Sequence, residues 1–263
     1  MDDSKLFLKM IEERFARFQD NYAPDNGDFL TLEQQSQAMS FFRNNASRGA
    51  FLYGGYEDAE RRIPLFMPDY MEVRNEAEAL EFFAKNPEEC PLVILKINVP
   101  KQEKASLSHR DYLGALMAEG IRREKVGDIL VHPDGAQIIA LREMVEYLKD
   151  SLTSVGRASI STEILGIDRV DPGQIIKKEM SFNVPSPRLD NVISAVFGIS
   201  RKSASEAISR GIVFVDGVEM SKPDIKPREG QKLVLRGKGK AIYMGVIGNS
   251  RKGRDYITVI KYL

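Results

Sequence analysis

The stretch of residues 188–236 constrains the fold of this chain more than any other part of it. Apolar residues recur at helical spacing over residues 189–198 and again over 200–211, and each run closes on a glycine, which predicts two short helices. A β-branched run then turns back at Asp216-Gly217, a dipeptide typical of tight hairpins. The sequence therefore predicts two helices that feed a β-hairpin.

This part of the chain is also strongly basic. Residues 188–263 hold 15 Lys and Arg against 7 Asp and Glu, a net charge of +8 in a chain whose formal net charge is zero. Arg201 and Lys202 stand in the first turn of the second helix, where the helix dipole disfavours cations and a bound phosphate would reverse that penalty. Such a charge distribution is typical of a nucleic-acid-binding surface.

The order of these residues resembles the S4 RNA-binding domain. R-L-D at residues 188–190 is followed by S-R-K-S-A at 200–204, V-D-G at 215–217 and K-P-D-I-K-P-R-E-G at 222–230. The resemblance implies structured RNA, ribosomal or transfer RNA, as the ligand. The residues expected to bind it are Arg188, Arg201, Lys202, Ser203, Ser205, Arg210, Lys226, Arg236 and Lys238. A small α/β unit whose basic face is merely solvated is the alternative.

Two acidic positions in this stretch are assigned to architecture. A carboxylate beside a phosphate-seeking surface repels RNA, so Asp190 is expected to orient Arg188 or to cap backbone donors. Asp216-Gly217 is expected to shape the hairpin.

The rest of the chain has a different charge. Residues 1–90 hold 10 Lys and Arg against 18 Asp and Glu, and residues 91–187 hold 13 of each. The acidic front is expected to face away from RNA or toward a protein partner. The single Cys90 cannot form an internal disulfide, and two histidines supply no metal cluster, so no metal or cofactor is expected. No apolar run reaches membrane-spanning length, which favours a cytoplasmic protein without a membrane partner.

Three domains of an α+β fold are predicted. Residues 1–88 form an acidic N-terminal α/β domain, 89–180 a ferredoxin-like (RRM-like) domain and 181–263 the S4 domain. The middle assignment depends on the order β-α-β-β-α-β. The middle segment lacks the aromatic consensus with which RNA-recognition motifs stack bases, so sequence-specific reading by its sheet is not expected.

The first domain contains several local signals. A helix is expected to end before Pro24, residues 25–28 to form a turn, and a capping box at Thr31 to begin a second helix. Gly54-Gly55 predicts a simple turn rather than a binding loop, since the third glycine of a dinucleotide fingerprint is missing.

Three motifs together with the basic domain closely resemble the YlmH family of bacteria. They are G-G-Y-E-D-A-E-R-R at residues 54–62, H-R-D-Y-L-G-A-L at 109–116 and I-R-R-E-K-V-G-D-I at 121–129. The resemblance implies a non-enzymatic, ribosome-associated protein whose basic domain is similar to that of the small quality-control factor RqcP. Its implied partners are ribosomal RNA, transfer RNA and a stalled large ribosomal subunit that still holds peptidyl-tRNA.

Other functions compete with this one. H-R-D at residues 109–111 suggests a kinase catalytic loop, but Leu116 replaces the metal-binding asparagine and no glycine-rich loop is present. The same residues faintly resemble a segment of pseudouridine synthases, so an RNA-modifying enzyme is the main alternative, and a scaffold that holds a protein by its acidic front is another. We expect Asp111 to be structural, because an aspartate in the first turn of a helix is stabilised by the dipole.

Overall fold

The computed structural model describes residues 3–45, 48–100, 107–173, 177–249 and 253–262. Helices alternate with several antiparallel sheets, which confirms the expected α+β class. The chain divides into two compact units, residues 1–173 and 174–263. No helix among the described residues is long and apolar enough to span a membrane.

The first unit begins with helices around a small sheet. Its elements are α1 (Asp3–Asn21), β1 (Asp25–Asn26), α2 (Leu32–Asn44), β2 (Ala50–Tyr53), β3 (Ile63–Phe66) and α3 (Glu76–Lys85). The strands pair in the order β1-β3-β2. The predicted capping box at the start of α2 is confirmed, since the Gln34 amide donates to Thr31 Oγ1 at 3.2 Å and the Thr31 amide donates to Gln34 Oε1 at 2.9 Å.

One local prediction in this region is wrong. Residues 25–28 were expected to form a turn, but Asp25 and Asn26 pair with β3 as the short strand β1. Arg14 and Arg17 on α1 each place a guanidinium nitrogen 2.9 Å from the carboxylate of Asp25. Pairing with the free edge of β3 and the two ion pairs therefore override the turn propensity of this sequence.

The glycine pair at residues 54 and 55 lies in a bend between β2 and the turn at residues 57–58, and Gly55 packs closely against a neighbouring side chain. Gly55 has φ of +89°, and a Cβ at this position would lie 2.7 Å from Cδ1 of Ile167. The amide of Ala59 donates to the carbonyl of Tyr56 at 3.2 Å, which closes the turn that follows. A side chain at residue 55 would meet both a strained backbone and a packed neighbour.

The rest of the first unit follows the predicted order of elements. It comprises β4 (Leu92–Asn98), α4 (His109–Ala118), β5 (Val126–His132), β6 (Gly135–Leu141), α5 (Arg142–Ser151), β7 (Ser154–Val155), β8 (Ala158–Ser159) and β9 (Ser161–Leu165). The antiparallel sheet has the order β5-β6-β4-β9, while β7 and β8 form a separate hairpin. The predicted last strand, residues 159–165, is therefore divided between β8 and β9.

The two faces of this four-stranded sheet are both buried. On one face, Val93 and Leu95 pack with Tyr112 of α4 and Leu148 of α5. The other face packs against the front of the unit, through a cluster that unites Phe29, Tyr53, Phe83 and Cys90 with Leu92, Ile94, Ile139 and Leu141. The boundary predicted at residue 88 thus lies inside one shared core, and the division of the chain into three domains stays a prediction.

Cys90 lies within that shared core. It is fully buried, and burial raises the pKa of its thiol to about 11. The thiol lies 3.7 Å from the hydroxyl of Tyr53. Cys90 therefore packs as a small apolar residue, as the sequence predicts.

The second unit is one sheet covered on one face by two helices. Its elements are β10 (Lys177–Val184), α6 (Leu189–Phe197), α7 (Arg201–Ser209), β11 (Val213–Val215), β12 (Val218–Glu219), β13 (Lys232–Leu235), β14 (Gly239–Asn249) and β15 (Asp255–Tyr262). The strand order is β10-β15-β14-β13-β11-β12. The predicted helix pair and the hairpin at Asp216-Gly217 are confirmed, and α6 ends at Gly198 with φ of +64°.

β10 begins before the predicted boundary at residue 181. Its whole length pairs with β15, from Lys177 opposite Tyr262 to Val184 opposite Asp255. Eight residues of backbone pairing attach this strand to the second unit. That partner lies far away in the sequence, so the local pattern could not reveal it.

Candidate nucleic-acid interface

A buried carboxylate joins the starts of the two helices. Asp190 is only 2% exposed. Arg188 Nε donates to its Oδ1 at 3.3 Å, and Arg201 Nε donates to its Oδ2 at 2.9 Å. The amide of Asn191 also donates to Oδ1, at 2.9 Å. The expected orientation of Arg188 by Asp190 is confirmed, and the same carboxylate also holds Arg201, which the sequence did not indicate.

The first turn of α7 combines a cap with two exposed cations. Ser200 is the N-cap, and its Oγ accepts a hydrogen bond from the amide of Ser203 at 3.0 Å. Arg201 and Lys202 occupy the next two positions and are exposed. Amides at these positions have no partner inside a helix. Backbone donors and positive side chains therefore meet at one place, which suits a phosphate.

Lys226 is brought to the same end of the helix pair. The amide of Leu189 donates to the carbonyl of Ile225 at 2.7 Å, and the amide of Asp190 donates to that of Pro223 at 3.1 Å. These bonds fasten the loop before β13 to the start of α6 and leave Lys226 exposed. We refer to Arg188, Arg201, Lys202 and Lys226 as the helix-end cluster.

Three expected contact residues lie elsewhere. Arg210 follows the last residue of α7, so it is separated from Arg201 by the length of the helix, about 13 Å. The amide of Arg236 donates to the carbonyl of Ile212 at 3.0 Å, and its guanidinium lies 4.7 Å from the ring centre of Phe214. Lys238 is exposed in the turn between β13 and β14.

The two serines of the predicted set differ in their surroundings. Ser203 Oγ lies 2.8 Å from Ser200 Oγ, so it belongs to the cap of α7. Ser205 is half-buried in the middle of the same helix.

The family motifs of the first unit meet in an internal network. Asp128 accepts hydrogen bonds from the hydroxyl of Tyr56 at 2.7 Å and from the amides of Glu60 and Arg61 at 2.7 and 3.1 Å. Burial, and then the charge of Asp128, raise the pKa of Tyr56, so the phenol stays protonated and donates. Segments 54–62 and 121–129 are thereby joined, which gives both motifs an architectural role.

The side chain of Arg61 also takes part in this network, which we call the Arg61–Asp128 network. Its guanidinium donates to the carbonyls of Val126 at 3.0 Å, Arg123 at 3.1 Å and Phe29 at 3.3 Å. Burial, with a contribution from Arg123, lowers the pKa of Arg61 to about 10. The guanidinium is still charged at neutral pH, and it satisfies three backbone carbonyls, two in segment 121–129 and one at Phe29.

The H-R-D motif is a helix cap. The amide and the hydroxyl of Ser108 both donate to Asp111 Oδ2, each at 2.7 Å. These hydrogen bonds hold the pKa of Asp111 below its usual range. The expected structural role of Asp111 is confirmed, because its carboxylate closes the first turn of α4.

The four-stranded sheet of the first unit does not present a stacking surface on the face opposite α4 and α5. Leu92, Ile94 and Ile139 on that face are completely buried. A sheet that stacks RNA bases needs exposed aromatic side chains there. An RNA contact by this part of the chain must therefore use another surface.

Comparison with known proteins identifies relatives of both units. Residues 86–169 match the family model described as "Putative RNA-binding domain in YlmH". The chain is 27% identical over 257 residues to "Ribosome-associated protein quality control protein P2" of Bacillus subtilis (strain 168), a match that covers 97% of this chain and 94% of the relative.

Two further matches are shorter or more distant. "Small ribosomal subunit protein uS4" of Rhodopirellula baltica is 39% identical over 75 residues, which is 27% of this chain and 37% of the relative. A solved structure, "Cell division protein ylmH from Streptococcus pneumoniae", matches with a TM-score of 0.47 and 22% identity, covering 65% of this chain and 96% of that one.

The basic helix pair and the matched family model together define the class as an RNA-binding protein. Within that class, the chain is similar to YlmH over residues 86–169 and to the Bacillus subtilis relative over nearly its whole length, in agreement with the resemblance of its motifs.

Proposed function

We propose that this protein is a non-enzymatic factor that binds ribosomal RNA and transfer RNA on the ribosome, in the cytoplasm. One observation carries the proposal: the buried Asp190 holds Arg188 and Arg201 at the starts of α6 and α7, beside the exposed Lys202. This arrangement presents fixed positive charges together with helix-end amides, which is the chemistry that positions an RNA backbone.

The relatives support a ribosomal setting for this binding. The Bacillus subtilis relative is named as a ribosome-associated quality-control protein and matches along nearly the whole chain. The similarity to uS4 supports assigning the second unit to the S4 RNA-binding domain. We further propose that the protein acts on stalled large subunits that carry peptidyl-tRNA, and that residues 89–180 form a ferredoxin-like domain.

We propose that the nine predicted contact residues contact different parts of the RNA backbone. Residues of the helix-end cluster position one part of the backbone. Arg210, Arg236 and Lys238 lie toward the other end of α7 and contact the backbone further along. Ser203 and Ser205 supply hydroxyls on α7, and Ser203 also stabilises its cap.

Replacing Arg201 and Lys202 together with alanine tests the helix-end cluster. Each lost phosphate contact is expected to lower the magnitude of the slope of log affinity against log salt by about 0.7–0.9, so the slope of the double variant should fall by about 1.4–1.8. The measurement is binding to purified large ribosomal subunits between about 50 and 200 mM salt. Folding is expected to survive, because Arg188 and the amide of Asn191 still donate to the buried Asp190 when Arg201 is replaced, and Lys202 is exposed.

A matched control separates a local effect from net charge. Lys5 and Lys85 are exposed lysines of the first unit, and their replacement with alanine removes the same charge. This control should keep the parent salt slope. If the Arg201/Lys202 variant also bound with unchanged affinity and slope, the helix-end cluster would not be the RNA contact.

Asp111 tests the alternative of an RNA-modifying enzyme. Its carboxylate is engaged by Ser108 as a cap, so Asp111→Asn is expected to leave the modified nucleosides of ribosomal and transfer RNA unchanged. The measurement is mass spectrometry of RNA from cells lacking the protein, complemented by the parent or by the variant. A modification lost in those cells, and restored only by the parent, would identify an enzyme.

The acidic front of the first unit is proposed to face away from RNA and to meet a protein partner. A cavity of about 440 Å³ opens there, and its lining includes the apolar Leu65 and Phe83, four acidic residues (Asp25, Glu88, Glu89 and Glu143) and one basic residue, Arg142. Its charge suits a basic segment of a protein rather than a nucleic acid. The scaffold alternative is therefore compatible with RNA binding by the second unit.

A further inference from the structure

The six-stranded sheet of the second unit has two unlike faces. Leu233 and Ala241 lie on the face that α6 and α7 cover, and both are buried. Side chains alternate along a strand, so their neighbours Lys232 and Lys240 lie on the opposite face. Both lysines are only half-buried there.

Three lysines of that opposite face converge on one aromatic ring. Tyr262 on β15 pairs with Lys177 on β10. The ammonium nitrogens of Lys240, Lys177 and Lys232 lie 4.9, 5.1 and 5.9 Å from the centre of its ring. Lys177 and Lys240 belong to the two strands that flank β15, β10 on one side and β14 on the other. We refer to these four residues as the lysine–tyrosine cluster.

Lys261 shows that this arrangement is specific to one face. It precedes Tyr262 in the sequence, and its side chain lies on the helix side of the sheet. Its ammonium donates to the carbonyl of Val196 at 2.9 Å, near the end of α6. A lysine at a helix C-terminus stabilises the helix, so Lys261 has an architectural role on the helix side of the sheet.

The positive charge continues across the sheet. Lys240 pairs with Val234 on β13, and Val234 pairs with Phe214 on β11. The guanidinium of Arg236 lies 4.7 Å from the centre of the Phe214 ring. Strands lie about 4.8 Å apart, so the row from β10 to β11 spans about 19 Å. A row of this length can follow several phosphates of one strand, whereas a single small anion would need only one point of charge.

We propose that the lysine–tyrosine cluster is a second RNA contact, which binds the phosphodiester backbone of an RNA strand along the sheet face opposite α6 and α7. The lysines contact phosphates, and Tyr262 is a positioning residue whose ring orients their ammonium groups. This inference rests on the proposed function in taking RNA as the ligand. It does not depend on the helix-end cluster, because the two sets share no residue.

Sequence reasoning missed this surface because its members come from four strands. Lys177 and Tyr262 are 85 positions apart, and only their pairing in the sheet brings them together. The available signal was the alternation of lysines with apolar residues in β13 and β14, which marks one face of a strand.

The test replaces Lys177, Lys232 and Lys240 with glutamine in the full chain. Refolded large-subunit ribosomal RNA is the probe, and its affinity is measured between about 50 and 200 mM salt. Loss of three phosphate contacts should lower the salt slope by about 2–3. The same three positions changed to arginine keep their charge and should keep the slope. Glutamine at Lys5, Lys9 and Lys85 of the first unit is the control for net charge.

The results separate this inference from the proposed function. The RNA contact is supported if the salt slope falls for the glutamine variant alone. The arginine variant and the first-unit control should then keep the parent slope. An unchanged slope overturns it, and the Arg201/Lys202 variant measured beside it then shows whether the helix-end cluster still binds. An equal loss in the arginine variant would also overturn it, since geometry rather than charge would be responsible.

Binding of a ribosomal protein by the cluster would give a different result from binding of RNA. If the glutamine variant kept its RNA salt slope but no longer sedimented with intact large subunits, the cluster would bind ribosomal protein, and the inference of an RNA contact would be wrong.

Tyr262 gives an independent readout. Tyr262→Phe keeps the ring and should retain the parent salt slope, whereas Tyr262→Leu removes the ring that orients the ammonium groups. The leucine variant should weaken binding at low salt with less loss of slope than the triple glutamine variant, because its three charges remain. If the Tyr262→Leu variant bound RNA as the parent does, Tyr262 would not be a positioning residue.

Discussion

Asp128→Ala is expected to lower the free energy of unfolding of the first unit by about 3 kcal/mol, the largest effect of any single substitution considered for this protein. The carboxylate accepts three hydrogen bonds, from the hydroxyl of Tyr56 and the amides of Glu60 and Arg61. Removing it leaves these donors without their acceptor in a partly buried place. The loop of residues 54–62 then keeps only the Arg61 guanidinium bond to the Val126 carbonyl among its hydrogen bonds to β5 described above.

Chemical denaturation of the full chain measures this effect, with hydrogen exchange to assign it to the first unit. Faster exchange should appear in residues 54–62 and in β5, and exchange in α6 and α7 should remain at the parent rate. Asp150→Ala is the matched control, because Asp150 is exposed at the end of α5. A parent-like stability for Asp128→Ala would show that the Arg61–Asp128 network is not what joins the two motifs.

Asp128→Asn refines the same test. An amide keeps one acceptor oxygen but replaces the other with a donor, so part of the network should survive. Stability between that of the parent and that of the alanine variant is expected. RNA affinity of both variants, measured where they are folded, should stay near the parent value because none of the proposed contact residues lies in this network.

Asp190→Ala is expected to lower the free energy of unfolding of the second unit by about 2 kcal/mol. Its carboxylate is 2% exposed and accepts from Arg188, Arg201 and the amide of Asn191. The two guanidinium groups are partly exposed and can regain water, which moderates the cost. The backbone amide of Asn191 cannot regain a hydrogen bond to water in this way, because that residue is buried.

RNA binding distinguishes an architectural Asp190 from a contact residue. The melting temperature of the variant should fall, while the intrinsic RNA affinity of its folded fraction changes much less. Asp224→Ala is the control, because Asp224 is an exposed aspartate in a loop of the same unit. A large loss of affinity with an unchanged melting temperature would mean that Asp190 itself takes part in RNA recognition.

These two aspartates illustrate what local sequence can and cannot predict. The sequence assigns Asp190 to architecture because a carboxylate beside a phosphate site is repelled, and its neighbour Arg188 is two positions away. Its bond to Arg201 spans 11 positions and required the packing of α6 against α7. Asp128 meets Glu60 across 68 positions, a distance that no periodicity or capping rule covers.

Local elements were determined by the sequence itself. The two helices, the hairpin at Asp216-Gly217 and the caps at Thr31 and Asp111 depend on interactions between residues a few positions apart, so they are visible in the order of residues. The charge asymmetry that pointed to RNA is likewise a property of composition.

Tertiary structure alone decided how those elements are joined. It turned residues 25 and 26 into a strand, attached β10 to β15 and buried the sheet face on which an RNA-recognition motif would stack bases. It also gathered Lys177, Lys232 and Lys240 around Tyr262. The physical reason is that strand pairing and core burial are set by partners distant in sequence, which compete with local propensity and override it where the buried area is large.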